Sequence, residues 1–393
     1  MNDRALIILL ASIAALGPFT VDMYLPAMPA MAAEFAADIP TTQLTFSGYL
    51  FGFSIFHLFC GPLADRFGRK PVLLVGIALF VFASVGCAFS DNIGDIIFFR
   101  VLQGMGACVG PTLTRTIARD VFGADGAARA LSLMAMIMTL GPAVAPLFGG
   151  LILYFFHWSS IFIFLALYGA LIWFLINRYL QESLPVSQSI LPSVVIKNYF
   201  TLMKNRIFIS SSIVTSMMYS GLMIYLASSG FVYVQKMGVR VEFFGFILLT
   251  LVGGYALGSG LSAWMSKKID SSRAVVGGTF LASIATGIML LTSIQWPLAV
   301  MSLAAPMGLY TLALGIVLPH SIAITLAPFP DMAGTTSSLL GFIQMGVSAF
   351  FAVTIGGLIT YSISYMVVGM LAVSSLAFLV AFFFLRNQAK YDC

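Results

Sequence analysis

Charge is what this chain has least of. Only 8% of its 393 residues are Asp, Glu, Lys or Arg, and 60% are hydrophobic, whereas soluble domains carry about 25% charged residues. No soluble fold keeps such a surface in water, so the composition excludes a soluble enzyme or binding module and leaves a polytopic membrane protein. Cysteine is nearly as sparse. Cys60, Cys87, Cys108 and Cys393 show no Cys-x-x-Cys spacing, so neither a metal site nor a disulfide framework is supported, and three of them read as small residues within apolar spans. The three histidines, His57, His157 and His320, fall near span ends or in a loop and read as surface or interfacial groups, not as a proton relay. A Walker loop, paired catalytic acids and a Ser/His/Asp arrangement are all missing, so ATP-driven transport and hydrolysis have no support and no cofactor is expected. The net charge of +5 does not indicate nucleic acid, because the basic residues are dispersed in short loops.

What the chain has is long apolar runs. They lie near residues 5–31, 41–61, 71–90, 94–118, 127–153 and 158–180, then 207–232, 242–266, 273–292, 297–320, 333–358 and 363–386. Each is long enough to cross about 30 Å of hydrocarbon. They must be helices, since lipid offers backbone groups no partners and nothing reads as a period-two barrel strand. The first run follows Arg4 and mimics a signal peptide, but it is too long and lacks a small-residue cleavage site, so it reads as a retained helix. The longest polar stretch, 181–206, divides the chain into an N-terminal half (1–180) and a C-terminal half (207–393). With both termini cytoplasmic, all but Lys236, Arg240 and Arg100 of the nineteen basic residues fall on the cytoplasmic side, as the positive-inside bias requires.

One acid stands out against this background. Of fourteen acidic residues, Asp22 alone lies well inside a span, and a carboxylate at that depth costs a few kcal/mol unless it is paired or neutralised. Its simplest relief is to bind a proton, a cation or a basic side chain, which points to ion-coupled transport. Arg100 lies about six residues inside the fourth span, ~9 Å deep, and Asp22 about eight residues inside the first, ~12 Å deep, at 1.5 Å per residue. That similar depth predicts an ion pair between them; the competing reading of Arg100 is snorkelling to the interface.

Three further segments carry pattern. Between spans two and three the chain reads Gly61-Pro62-Leu63-Ala64-Asp65-Arg66-Phe67-Gly68-Arg69-Lys70-Pro71. Gly61 and Gly68 permit close approach and a tight turn, Asp65 suits a helix N-terminus or a basic partner, and Arg69 is expected to meet Asp120. Span four carries Arg100-Val101-Leu102-Gln103-Gly104, and span five carries Gly141-Pro142-Ala143-Val144-Ala145-Pro146-Leu147-Phe148-Gly149-Gly150. Two prolines four apart kink a helix, and the glycines thin it against its partner across the two halves.

Together these segments resemble the motifs of the major facilitator superfamily. The span-five segment is similar to the motif of its drug:proton antiporters. Asp22-Met23-Tyr24-Leu25-Pro26-Ala27-Met28-Pro29 resembles the first helix of Bcr/CflA-type multidrug exporters, and Glu182-Ser183-Leu184-Pro185 resembles that family's end of span six. The resemblance implies an all-α membrane protein of the major facilitator fold, with 12 transmembrane helices as two six-helix bundles around a central site. It implies a monomer in a bacterial inner membrane, exchanging lipophilic drugs for protons. Asp22 and Arg100 would couple protons, and Gly61, Asp65, Gly68, Arg69 and Asp120 would form a conformational latch. Some exporters of this kind carry a second acid earlier in the first span, where this chain has Ala14 and Pro18, so Asp22 would act alone. Candidate pocket residues, beside Asp22, are Tyr49, Gln103, Met138, Tyr219, Tyr225 and Gln344, a mostly apolar set with adaptable walls. The alternative on the same fold is a dedicated carrier of one metabolite or siderophore. A non-transporting receptor gives no reason for a buried acid.

Overall fold

Pro26 decides where the first span breaks. A proline has no N–H for the carbonyl four residues back, and its ring clashes with that carbonyl; the residue four back is Asp22. Helix α1 (Asp3–Asp22) accordingly ends at the acid, a single 3₁₀ turn covers Leu25–Ala27, and α2 (Met28–Glu34) resumes beyond it. The computed structural model describes residues 3–184, 192–266, 268–329 and 332–385, without the side chains at 123–129, 131–132, 135–140 and 192–193. The expectations that fell on the side chains of Arg129 and Met138, and on Pro185, Lys267, Arg386, Lys390 and Cys393, lie outside the described residues.

The remaining helices are α3 (Ile39–Phe67), α4 (Arg69–Ala88), α5 (Ile93–Ala107), α6 (Val109–Phe155), α7 (Ser159–Tyr179), α8 (Pro192–Lys204) and α9 (Arg206–Ser229). They continue with α10 (Val241–Met265), α11 (Ser271–Gln295), α12 (Val300–Leu326), α13 (Ala333–Leu358) and α14 (Ile363–Val380). Among the described residues, eleven helical segments are long and apolar enough to cross a membrane, and Gly141–Phe155 is a shorter apolar one.

Helix α6 holds parts of two expected spans. Its start packs on α1 where Gly110 meets the Ile13 carbonyl, and its end packs just past the close of α1, where Gly149 meets the Met23 carbonyl. Those contacts are ~15 Å apart along the first span, whereas a straight helix from 110 to 149 would run ~58 Å. The chain therefore reverses within α6, and its two ends serve as spans four and five.

Spans one to six pack chiefly on one another, as do spans seven to twelve, and the two groups meet mainly where α3 lies on α13 and α6 on α10. One end of the molecule carries Arg66, Arg69, Lys70 and Arg119 and is called the basic end below; the other carries Glu34, Asp38 and Asn92. The stretch expected to be a plain linker contains α8. Tyr199 donates its hydroxyl to the Leu58 carbonyl at 3.0 Å, and Leu202 is buried in a small cluster with Phe208, Phe329 and Leu339. Those two side chains are three residues apart, one helical turn, so the segment is amphipathic and folds onto the basic end.

At the end opposite the basic one, close packing around glycines seals the two halves. Gly230 at the close of α9 lies against the Leu25 carbonyl, and Gly356 of α13 against the Gln43 side chain. A Cβ on Gly150 would stand 2.6 Å from the Val241 carbonyl, and one on Gly245 would stand 2.7 Å from the Leu147 nitrogen. No L side chain fits such gaps without moving a backbone.

Candidate functional site

Between the halves lies a cavity of about 570 Å³. It runs from the middle of the molecule toward the basic end, reaching Pro111 and Arg115 on α6, Ser259 on α10 and Leu318 on α12. Most of its wall is Leu, Val, Phe, Pro and Met, and its one acidic lining residue among those described is Asp22. A volume of this size suits a drug-sized molecule.

Asp22 stands at the frayed end of α1, so both its side chain and the carbonyl freed by Pro26 are at the helix break. The residue is only 6% exposed. Its carboxylate makes no ion pair and no hydrogen bond among the described residues, and Tyr219 of α9, which also lines the cavity, lies within its electrostatic reach. Tyr49 lines the wall beside it and donates to the Gly17 carbonyl of α1 at 3.4 Å.

The structure does not bring Arg100 to Asp22. Arg100 is fully buried, its guanidinium lying 4.4 Å from the centre of the Tyr24 ring and 4.6 Å from that of Tyr49. Its Nε donates to the Thr45 carbonyl at 3.2 Å and Nη1 to Gln103 Oε1 at 2.7 Å, while Nη2 has no partner among the described residues. Gln103 in turn donates to Ser84 Oγ at 2.8 Å, and the Tyr24 and Thr45 hydroxyls bond each other. The two charges share a height in the membrane, but Arg100 faces the interior of its own half and Asp22 faces the cavity. Two aromatic faces and a carbonyl hold the cation where a carboxylate was expected.

Other expected positions also differ. Gln103 is committed to Arg100 and Ser84 and does not line the cavity. Tyr225 is buried and bonds the Tyr233 hydroxyl at 2.6 Å. Gln344 also lies off the cavity wall. Asp22, Tyr49 and Tyr219 are the expected pocket residues that the fold does place there. Of the histidines, His320 departs from its interfacial reading: it is 4% exposed and shares a 3.1 Å contact with Ser271 Oγ.

At the basic end, the loop between α3 and α4 closes a network. Gly68 takes a φ of +101°, a region that disfavours any side chain, and a Cβ there would stand 2.6 Å from Glu182 Oε2. Arg69 pairs with Asp65 and reaches Asp120 at 3.3 Å. Gly61 faces the Ser338 hydroxyl of α13. Glu182, whose part here the sequence does not indicate, accepts from the backbone amides of Arg69 at 2.9 Å, Lys70 at 3.1 Å, Ser183 at 3.0 Å and Leu184 at 2.9 Å. Partial burial pushes its carboxyl up, but those amides outweigh it and hold it below the usual range. It thus caps the exposed N–H groups at the start of α4.

Span five uses its glycines on two sides. Gly149 packs just past the close of α1 within its own half, while Gly150 faces α10 across the seam; the cross-half role was expected of both. Pro142 lines the cavity, and Gly141 packs near Pro18 and Phe19 of α1. Pro146 is buried.

Two lining residues with titratable side chains escape a reading of the sequence. Arg115 groups with the other basic residues as a topology signal, and Tyr255 carries no motif; both line the cavity toward the basic end. The cue for Arg115 is its place one turn beyond Pro111, still inside the bounds of the fourth apolar run.

The Major Facilitator Superfamily profile matches residues 10–353. An uncharacterized MFS-type transporter, YdgK, of Bacillus subtilis is 33% identical over 359 residues, covering 90% of this chain and 88% of that one. A bicyclomycin resistance protein homolog of Haemophilus influenzae is 27% identical over 87% of this chain and 86% of its own length. Multidrug resistance protein D of Escherichia coli is 26% identical over 86% and 85%. The crystal structure of a D-xylose–proton symporter superposes with a TM-score of 0.77 at 15% identity over 98% of both chains, a likeness of fold alone. By sequence and by fold the chain belongs to the Major Facilitator Superfamily, a family of transporters rather than enzymes.

Proposed function

We propose that the chain is a proton-coupled exporter of lipophilic drugs in a bacterial inner membrane. The observation that carries this reading is the lone carboxylate of Asp22 in a large, mainly apolar cavity between the halves. The resistance names of the Haemophilus influenzae and Escherichia coli relatives support it.

The steps rest on the geometry of the cavity and the seal. With the basic end cytoplasmic, the sealed end faces outward and the cavity opens inward, so this is the state that loads substrate from the cytoplasm. Deprotonated Asp22 suits a cationic or hydrogen-bond-donating drug. Rocking of the halves then separates the glycine seam and exposes Asp22 to the outside, where a proton takes the carboxylate and releases the drug. Each proton returning down 100 mV supplies about 2.3 kcal/mol. Arg100 takes no proton in this scheme. Through its stacking on Tyr24 and Tyr49 it holds the broken end of α1 against α3.

The test is substrate-driven proton movement in proteoliposomes under an imposed proton gradient, with several unrelated lipophilic drugs and a few polar metabolites. Export predicts proton release from the lumen with the drugs. Asp22→Asn should still bind and exchange drugs while losing proton-driven accumulation; full active transport by that variant sinks the role given to Asp22. A response to one metabolite and none to drugs would instead favour a dedicated carrier, which the hydroxyls of Tyr255, Ser259 and Thr311 on the cavity wall would serve.

A further inference from the structure

The cavity carries a charge of each sign, and only Asp22 has a part in the exchange proposed above. Arg115 lines the wall nearer the basic end. Among the described residues it has no ion pair and no hydrogen bond. It is an exposed residue on the cavity lining, and Tyr255 and His57 lie within its electrostatic reach. Tyr255 and Ser259, one turn apart on α10, line the same space, and their side chains bond each other.

The two charges are far apart. Gly110 meets α1 at Ile13; from that level Arg115 lies five residues toward the basic end and Asp22 nine residues the other way, ~20 Å of helix axis in all. They cannot neutralise each other across such a gap, even with the Arg side chain extended. The carboxylates of the basic-end loop offer no relief either, since Asp65 and Asp120 are both engaged by Arg69. Arg115 is left on the cavity lining with no carboxylate partner among the described residues.

We propose that Arg115, with the Tyr255 and Ser259 hydroxyls, forms a carboxylate-binding subsite, so that the transporter favours zwitterionic amphiphiles over purely cationic ones. The inference rests on the drug-export reading and names its substrate class. A guanidinium presents paired donors in a fixed fork that matches a carboxylate, and the apolar wall between the two charges suits a lipophilic body. An incoming zwitterion meets Arg115 first, because the cavity runs toward the basic end.

The test compares a fluoroquinolone, which carries an amine and a carboxylate, with its methyl ester, which keeps the amine alone. Equilibrium binding of each is measured on the full chain in lipid nanodiscs. The wild type should bind the zwitterion more tightly, and Arg115→Gln should reduce the zwitterion-to-ester preference about ten-fold or more, the range of a hydrogen bond to a charged group. Arg115→Lys, which keeps the charge and loses the fork, should retain part of the preference. A wild type that binds lipophilic drugs without preferring the zwitterion overturns the subsite while drug export stands. So does a zwitterion-to-ester ratio that is the same in wild type and Arg115→Gln. If neither probe nor any other lipophilic drug binds the wild type, the export reading fails and the subsite with it.

Discussion

Arg100 sits at about the height of Asp22 yet turns away from it, toward two tyrosine rings. Depth is legible, because helical rise converts position in a span into height in the bilayer, and Asp22 and Arg100 are both recognisable as costly intramembrane charges. Direction around the helix axis is not given by depth, so equal height does not make them neighbours. The partners that hold Arg100 are the ring faces of Tyr24 and Tyr49, aromatic residues that also read as ordinary packing. Arg100→Lys tests the assignment. Lysine keeps the charge but not the flat, delocalised group that stacks between rings, and a desolvated cation–π contact is worth about 2 kcal/mol. Thermal unfolding of the purified variant should show a loss of about that size, even though the charge is conserved.

Helices and loops are more legible than their contacts. The twelve apolar runs and the Gly-framed loop stand out from hydropathy and turn residues, and Pro26 fixes the break at Asp22 by removing one N–H. Helix α8 escapes notice because its apolar face is narrow and lies in a polar stretch. The glycine seam is only partly visible: Gly149 and Gly150 are adjacent, and sequence cannot say which neighbour each one meets. Gly230→Val tests the seam, since a branched side chain there collides with the Leu25 carbonyl. A cysteine placed at Ala27, which is fully buried, in an otherwise cysteine-free chain should be protected from a membrane-impermeant thiol reagent. Adding Gly230→Val should speed labelling about ten-fold, equivalent to ~1.4 kcal/mol moved from the sealed state.

On the scale of the whole molecule, the distribution of Lys and Arg makes a prediction of its own. The basic loops argue for termini in the cytoplasm. A C-terminal fusion to green fluorescent protein should therefore fluoresce in cells, and a fusion to alkaline phosphatase should be inactive; the reverse pattern would invert the loading and release sides. The fold divides into two groups of six spans that meet along few helices, so large relative rotation needs little repacking within either group. The tight seal at the end opposite the basic one has a further consequence. Backbone packed this closely against its neighbours leaves little room for a file of water along which a proton could hop, so an empty carrier at rest should not short-circuit the membrane. Insulation of the cell's battery would then come from the absence of side chains at Gly150, Gly230 and Gly356, and enlarging any of them should be felt first as leakage.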